Sequence, residues 1–164
     1  MQYEPSSDEW RAWLRRCGPR FHLYARQQTR CEADAEDVLQ DALVESWRRV
    51  DGMPPDALVF ATIRRRAIDL ARSSDRRSAR EAEAGGPDAE WFSPDVEERE
   101  TQRVLGEAVK SLTPIYREVV TLKVWGGLTF QEIAETTGVP LNTAASRYRY
   151  AIEALRETLK GVVL

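Results

Sequence analysis

Apolar positions along this chain recur at helical spacing, and nothing alternates with period two for long, so the expected elements are helices. The first stretch runs from about Asp8 to Arg30. Trp10, Trp13, Leu14, Cys17, Phe21 and Tyr24 line one face, and a bend is expected at Gly18-Pro19. The second runs from about Ala33 to Val50, with Val38, Leu39, Ala42, Leu43 and Trp47 facing inward. Gly52-Met53-Pro54-Pro55 then forces a turn. The third covers about Ala57 to Ser73 and packs Phe60, Ile63, Ala67 and Leu70. Three helices with one apolar stripe each make a compact bundle.

Residues 74–93 are of a different composition: Ser, Asp, Glu, Ala, Gly85-Gly86-Pro87 and few apolar groups. Charge repulsion extends such a segment, and it lacks the apolar surface to fold. Ser93-Pro94 begins a new helix, with Ser as cap, Pro in the first helical position and acids in the first turn. Thr113-Pro114 repeats the signal, and two further helices are expected near Thr129–Thr137 and Thr143–Leu159. The predicted fold is all-α. Two small helical domains, residues 1–78 and 94–164, are joined by a flexible acidic linker over 79–93.

Composition sharpens this picture. With 164 residues, 42% of them apolar, the chain can bury one ordinary core or two small ones. Its net charge of −3 hides a division: +2 over residues 1–80, −6 over 81–110 and +1 over 111–164. Within the first part, Arg64, Arg65, Arg66, Arg72, Arg76, Arg77 and Arg80 face only Asp69 and Asp75. That local +5 is the footprint of a phosphate-binding surface, because such attraction acts within about 8–10 Å in physiological salt. The first 109 residues contain no lysine. Arginine favours bidentate contacts to phosphate, although a GC-rich genome produces the same bias. Cys17 and Cys31 are too few for a disulfide framework or a zinc site, and His22 has no further ligands beside it. No apolar run approaches a membrane span, and Met1 leads into polar residues rather than a signal peptide. The expectation is a cytoplasmic protein without membrane insertion, metal or cofactor.

The most informative stretch is Leu128 to Tyr150, which has helix-turn-helix spacing. Thr129 caps a short helix with Glu132 as its capping-box partner, and Ala134 stands where two helices must approach closely. Gly138 falls at the turn, where positive φ is needed, and Asn142 can cap the second helix. Ala144, Tyr148, Ala151, Leu155 and Leu159 face inward. Thr143, Ala145, Ser146, Arg147, Arg149 and Tyr150 are left outside, where they can meet phosphates and base edges in a major groove. The same spacing also suits an ordinary helical hairpin with a solvated polar face.

Leu112-Thr-Pro-Ile-Tyr-Arg-Glu-Val-Val-Thr-Leu122 and Gly126-Gly-Leu-Thr-Phe-Gln-Glu-Ile-Ala134 resemble the fourth domain of bacterial sigma factors. More narrowly they resemble that of the short extracytoplasmic-function group, which keeps domains two and four. Ala35-Glu-Asp-Val-Leu-Gln-Asp-Ala-Leu43 and Arg64-Arg-Arg-Ala-Ile-Asp-Leu-Ala-Arg72 resemble the group's domain two, in the right order and at the right length. The resemblance implies a non-enzymatic initiation factor with three kinds of partner: RNA polymerase core, promoter DNA and an anti-sigma factor. It implies a monomer when free, or a 1:1 complex with such a regulator. Domain two would dock on the β′ clamp helices through Asp37, Gln40, Asp41, Val44 and Glu45, a mixed acidic and apolar face suited to a basic helix. It would also melt the minus-ten element. Met53 would lie in the loop that pockets a flipped base, with Arg64, Arg65, Arg72, Arg76 and Arg77 along the separated strands. Asp69 is spaced to orient Arg65 and Arg72. Domain four, which would also meet the β flap, reads the minus-thirty-five element through Asn142, Thr143, Ala145, Ser146, Arg147, Arg149 and Tyr150.

The chain departs from the group in places. The group commonly has Trp near Leu58 and Asn at Arg65, Val and Lys at Ala144 and Ala145, and Leu at Tyr148. The competing classes are a stand-alone helix-turn-helix regulator, a sequestering protein that has lost DNA binding, and a nucleic-acid enzyme. The last would use Asp34, Glu36, Asp37 and Asp41, which read better as a docking face. The acidic linker is also expected to fold back on the arginine helix through Glu81, Glu83, Glu97 and Glu98, suppressing DNA binding by the free protein.

Overall fold

A computed structural model of the chain describes residues 4–75 and 99–161, and every described element is helical. Contacts divide the chain into two compact units, Met1–Ala89 and Glu90–Leu164. The expected linker, the helix start at Ser93-Pro94, Arg76, Arg77, Arg80 and the four linker glutamates all lie outside the described residues.

In the first unit, α1 (Ser7–Gln28), α2 (Glu32–Arg49) and α3 (Asp56–Asp75) pack against one another. Ser6 starts α1 with a reciprocal capping box. Its hydroxyl accepts from the Glu9 N–H at 3.2 Å, and the Glu9 carboxylate accepts from the Ser6 N–H at 2.7 Å. The helix continues through Pro19 without interruption. Pro19 is exposed, so its ring stands in solvent and the missing N–H leaves a carbonyl where water can reach it. An aromatic chain forms the core: Trp13 meets Phe21, and Phe21 and Tyr24 meet Phe60 edge-on, with ring centroids 5.0–5.5 Å apart. Val38, Ala42, Val59, Ile63 and Ala67 complete it.

Two polar contacts set the register of these helices. Buried Ser46 donates to the Thr62 hydroxyl at 3.3 Å, and Thr62 donates to the Leu58 carbonyl at 2.7 Å. Arg20 reaches Asp56, the first residue of α3, at 2.9 Å. The buried hydroxyl pair explains one correction to the sequence reading. Ser46 takes the innermost row of α2 with Val38 and Ala42, which turns Trp47 outward to 52% exposure. Leu14, also expected inside, is 40% exposed because Trp13 fills the inward position one residue earlier.

The second unit contains α4 (Arg99–Ser111), α5 (Pro114–Val120), α6 (Phe130–Thr137) and α7 (Leu141–Leu159). Ala108, Val109, Leu112, Val120, Ala151 and Leu155 form its core. Thr113-Pro114 starts α5 as expected, with Pro in the first turn. Arg117 donates to the carbonyls of Lys110 (2.7 Å) and Leu112 (3.0 Å), placing a cation on the last carbonyls of α4. Burial pulls that guanidinium below its ordinary pKa, yet it stays charged.

Between α5 and α6, Thr121–Trp125 forms a π-helical turn, which no residue pattern announced. The Gly126 N–H closes it on the Thr121 carbonyl at 2.9 Å. A Cβ at Gly126 would lie 2.5 Å from the Leu122 carbonyl oxygen, so only glycine fits without backbone movement. Gly126→Ala should therefore destabilise the full chain by about 1–3 kcal/mol, seen as a lower urea midpoint with unchanged slope. Gly138 is the C-cap of α6 with φ 73°. Gly138→Ala should lower stability by about 1–2 kcal/mol, and Gly138→Asn by less, because Asn tolerates the left-handed region.

Candidate functional site

The second unit presents α7 through a tight helix-turn-helix. Thr129 and Glu132 form the expected capping box, with distances of 3.1 and 2.9 Å, and fix where α6 begins. At the other end, the N–H groups of Gly138 and Val139 both donate to the Ala134 carbonyl, at 2.9 and 3.1 Å. Pro140, rather than Asn142, is the N-cap of α7: its carbonyl accepts from Ala144 at 3.0 Å, and no side chain caps the helix. The proline's preset φ takes the flanking position, so α7 starts two residues earlier than expected. Asn142 becomes an exposed first-turn residue whose amide is not spent on capping.

Ala134, Ala144 and Ala151 are buried, and small side chains at these positions let α6 and the core approach α7 closely. Tyr148 turns towards Phe130, edge-on with ring centroids 5.5 Å apart. Asn142, Arg149 and Tyr150 are exposed, while Thr143, Ala145, Ser146 and Arg147 are half-buried. The Arg149 guanidinium lies 5.1 Å from the Tyr150 ring centre, which restrains its direction. Ile115 and Tyr116 at the start of α5 border the same shallow groove as Asn142, Thr143, Ser146, Arg147 and Tyr150. The sequence reading missed those two because only folding brings α5 beside α7.

In the first unit, the surface predicted for docking lies on α2 beside α1, and the arginines predicted for strand contact lie on α3. Asp37, Gln40 and Asp41 are exposed on α2, and Val44 is 44% exposed beside them. Trp10, Leu14, Leu43 and Trp47 extend the apolar part into a groove between α1 and α2. Trp10 and Trp47 stack at a tilt, 4.5 Å between centroids. This aromatic extension was also missed, since Trp47 and Leu14 read as core.

Glu45 does not stand with the docking residues. It turns to the α2–α3 seam, where it pairs with Arg65, with Arg66 at 2.8 Å and with Arg49 at 3.1 Å. Desolvation pushes its carboxyl up, but the Arg66 hydrogen bond and the charges of Arg65, Arg66 and Arg49 outweigh that and hold it below the ordinary carboxylate range. The partner of Arg65 is thus Glu45 across the seam rather than Asp69 along the helix. Arg64 is half-buried and Arg72 exposed on α3. Met53 is half-buried in the turn after α2, flanked by buried Gly52, whose φ is 84°, and buried Pro54.

Other groups hold no comparable arrangement. Cys17 and Cys31 are free thiols, and His22 pairs with Glu32 at 2.5 Å. Among the described residues no cluster of three metal-ligating side chains occurs, and no helix is long and apolar enough to cross a membrane.

Comparison with known proteins joins the two units. The model of sigma-70 region 2 matches residues 3–77, and that of sigma-70 region 4 matches residues 102–155. The ECF RNA polymerase sigma factor SigK of Mycolicibacterium vanbaalenii is 31% identical over 134 residues, covering 76% of this chain and 68% of that one. RpoE of Cereibacter sphaeroides, also an ECF sigma factor, is 33% identical over 131 residues, covering 76% and 72%. SigL of Mycobacterium tuberculosis, a third, is 30% identical over 143 residues, covering 84% and 81%. A solved structure of the sigma factor RpoE with the anti-sigma factor NepR from Bartonella quintana shares the fold. Its TM-score is 0.65 at 21% identity, over 95% of this chain and 99% of that one. With both regions matched in order and relatives aligned over most of their length, the chain belongs to the extracytoplasmic-function group of RNA polymerase sigma factors, which direct transcription initiation.

Proposed function

We propose that residues 1–78 hold the polymerase core and engage the minus-ten strands, that residues 94–164 read the minus-thirty-five element, and that residues 79–93 tether them. The observation that carries this reading is the outer face of α7. A left-handed Gly138 and three buried alanines hold the helix close to its unit and leave its polar side uncovered. Asn142, Thr143 and Ser146 suit phosphates and base edges, Arg147 and Arg149 can grip guanine or phosphate bidentately, and Ala145 allows close approach. Tyr150 adds an apolar surface for a thymine methyl group.

On α2, Asp37, Gln40 and Asp41 provide the polar rim for a basic helix of the β′ clamp, with Val44 at its apolar centre. The second unit would meet the β flap. Arg64, Arg65, Arg72, Arg76 and Arg77 would follow the strand backbone, and Met53 would line the pocket for an unstacked base. This work is binding and strand separation, with no bond-making step and no cofactor. By analogy with the RpoE solved with NepR, the chain would be held by an anti-sigma factor; we infer a 1:1 complex, a monomer when free, and a place in the bacterial cytoplasm.

Co-purification with core polymerase followed by runoff transcription tests the assignment. The full chain should bring down core and start transcription at a defined set of sites, mapped by transcript ends after overexpression. A helix-turn-helix regulator acting alone would not bring core down. Val44→Arg should abolish co-purification while leaving the helical circular dichroism unchanged, because it puts a cation at the centre of a surface that meets a basic helix. Arg147→Ala should leave core binding intact and remove about 1–3 kcal/mol of minus-thirty-five discrimination, read by promoter competition.

A further inference from the structure

The geometry points to a role for Glu45 beyond holding α2 to α3: it is a displaceable counter-ion that stands where a DNA phosphate binds on Arg65 and Arg66. Strand capture by this unit is then an exchange of carboxylate for phosphate. The inference rests on the reading of α3 as the strand-facing helix.

Three arginines converge on this one carboxylate. Oε1 accepts from Arg65 and forms an ion pair with Arg49, and Oε2 accepts from the Nε of Arg66. The Glu45 side chain is only 20% exposed, whereas those of Arg65 and Arg66 are 45% and 42% exposed. The anion is therefore the shielded member and the two cations are the accessible ones. Partly exposed ion pairs of this kind are weak, so an incoming anion can replace them. A phosphodiester presents the same paired oxygens to a guanidinium fork, and it arrives repeated along a strand.

Arg65 adds a charge to a helix already carrying Arg64, Arg66 and Arg72. An unopposed cation there would strengthen binding to any nucleic acid, irrespective of sequence. Glu45 offsets that added charge in the free chain. A strand must then compete with the carboxylate, and one held in register by other contacts competes best.

The test uses the full-length chain and a labelled single-stranded oligonucleotide of mixed sequence, with binding followed by anisotropy across a salt series. Glu45→Gln should bind several-fold more tightly than the wild type. Its plot of log affinity against log salt should steepen by roughly 0.7 for each arginine freed. Arg65→Gln with Arg66→Gln should weaken binding more in the Glu45→Gln background than in the wild type. A merely structural Glu45 would give weaker or unchanged binding and equal losses in the two backgrounds, and that result overturns the proposal.

Should Glu45→Gln fail to fold, Glu45→Asp decides, since it keeps the charge on a shorter arm that grips both arginines less well. Tighter binding than wild type upholds the exchange, and unchanged or weaker binding overturns it. If the double arginine variant loses no affinity in either background, the strand-facing reading of α3 fails and this inference falls with it. If it loses affinity while Glu45→Gln changes nothing, only the counter-ion role fails.

Discussion

The helices α2 and α7 each have a narrow buried stripe in a sequence that is 31% charged, and that constraint shapes the exposed surface of each unit. A narrow stripe fixes the rotation of a helix about its axis, because any other rotation would bury charge without a partner. The opposite face is left uncovered by the same act. In α7 the buried side runs through Ala144, Ala151 and Leu155, so Asn142, Arg149 and Tyr150 must stand outside. In α2 the buried side runs through Val38, Ala42 and Ser46, so Asp37, Gln40 and Asp41 must stand outside. Exposure of the working surfaces follows from burial of the rest.

Small residues and local hydrogen bonds do the fine positioning that apolar area cannot. Alanines at 134, 144 and 151 set how near α7 lies to its neighbours, and Gly138 sets the angle at which it leaves the turn. Gly126 has the same kind of task through a different device, since its missing side chain lets the π-helical turn close on Leu122. In the first unit a buried pair of hydroxyls, Ser46 and Thr62, takes the place of an apolar contact and fixes the register of α2 on α3. Each contact is individually small, yet each decides which side chains reach the surface.

Membership of the sigma factors gives the two units a common purpose. Ala144 lies buried and Ala145 half-buried at the amino end of α7, so the helix can sit close to its own core. Arg65 is found against Glu45. A cation held against its own anion makes a competed charge rather than a fixed one.

Much was legible in the residues alone. The all-α fold, the three-helix order of the first unit, the Thr129–Glu132 capping box and the left-handed turn at Gly138 are local signals, written within a few positions and read by spacing. The π-helical turn was not legible, because its widening depends on Gly126 meeting a carbonyl one turn back rather than on any residue preference. Asn142 looked like a cap until Pro140 took that position, a competition between two neighbours that propensity alone does not resolve. Trp47, Leu14, Ile115 and Tyr116 joined surfaces only when separate helices came together. Glu45 was counted with the docking face because residues on one helix were compared with each other. Two of its three partners, Arg65 and Arg66, lie on α3, 20 and 21 residues away in sequence, and only tertiary packing brings opposite charges from separate helices within hydrogen-bonding distance.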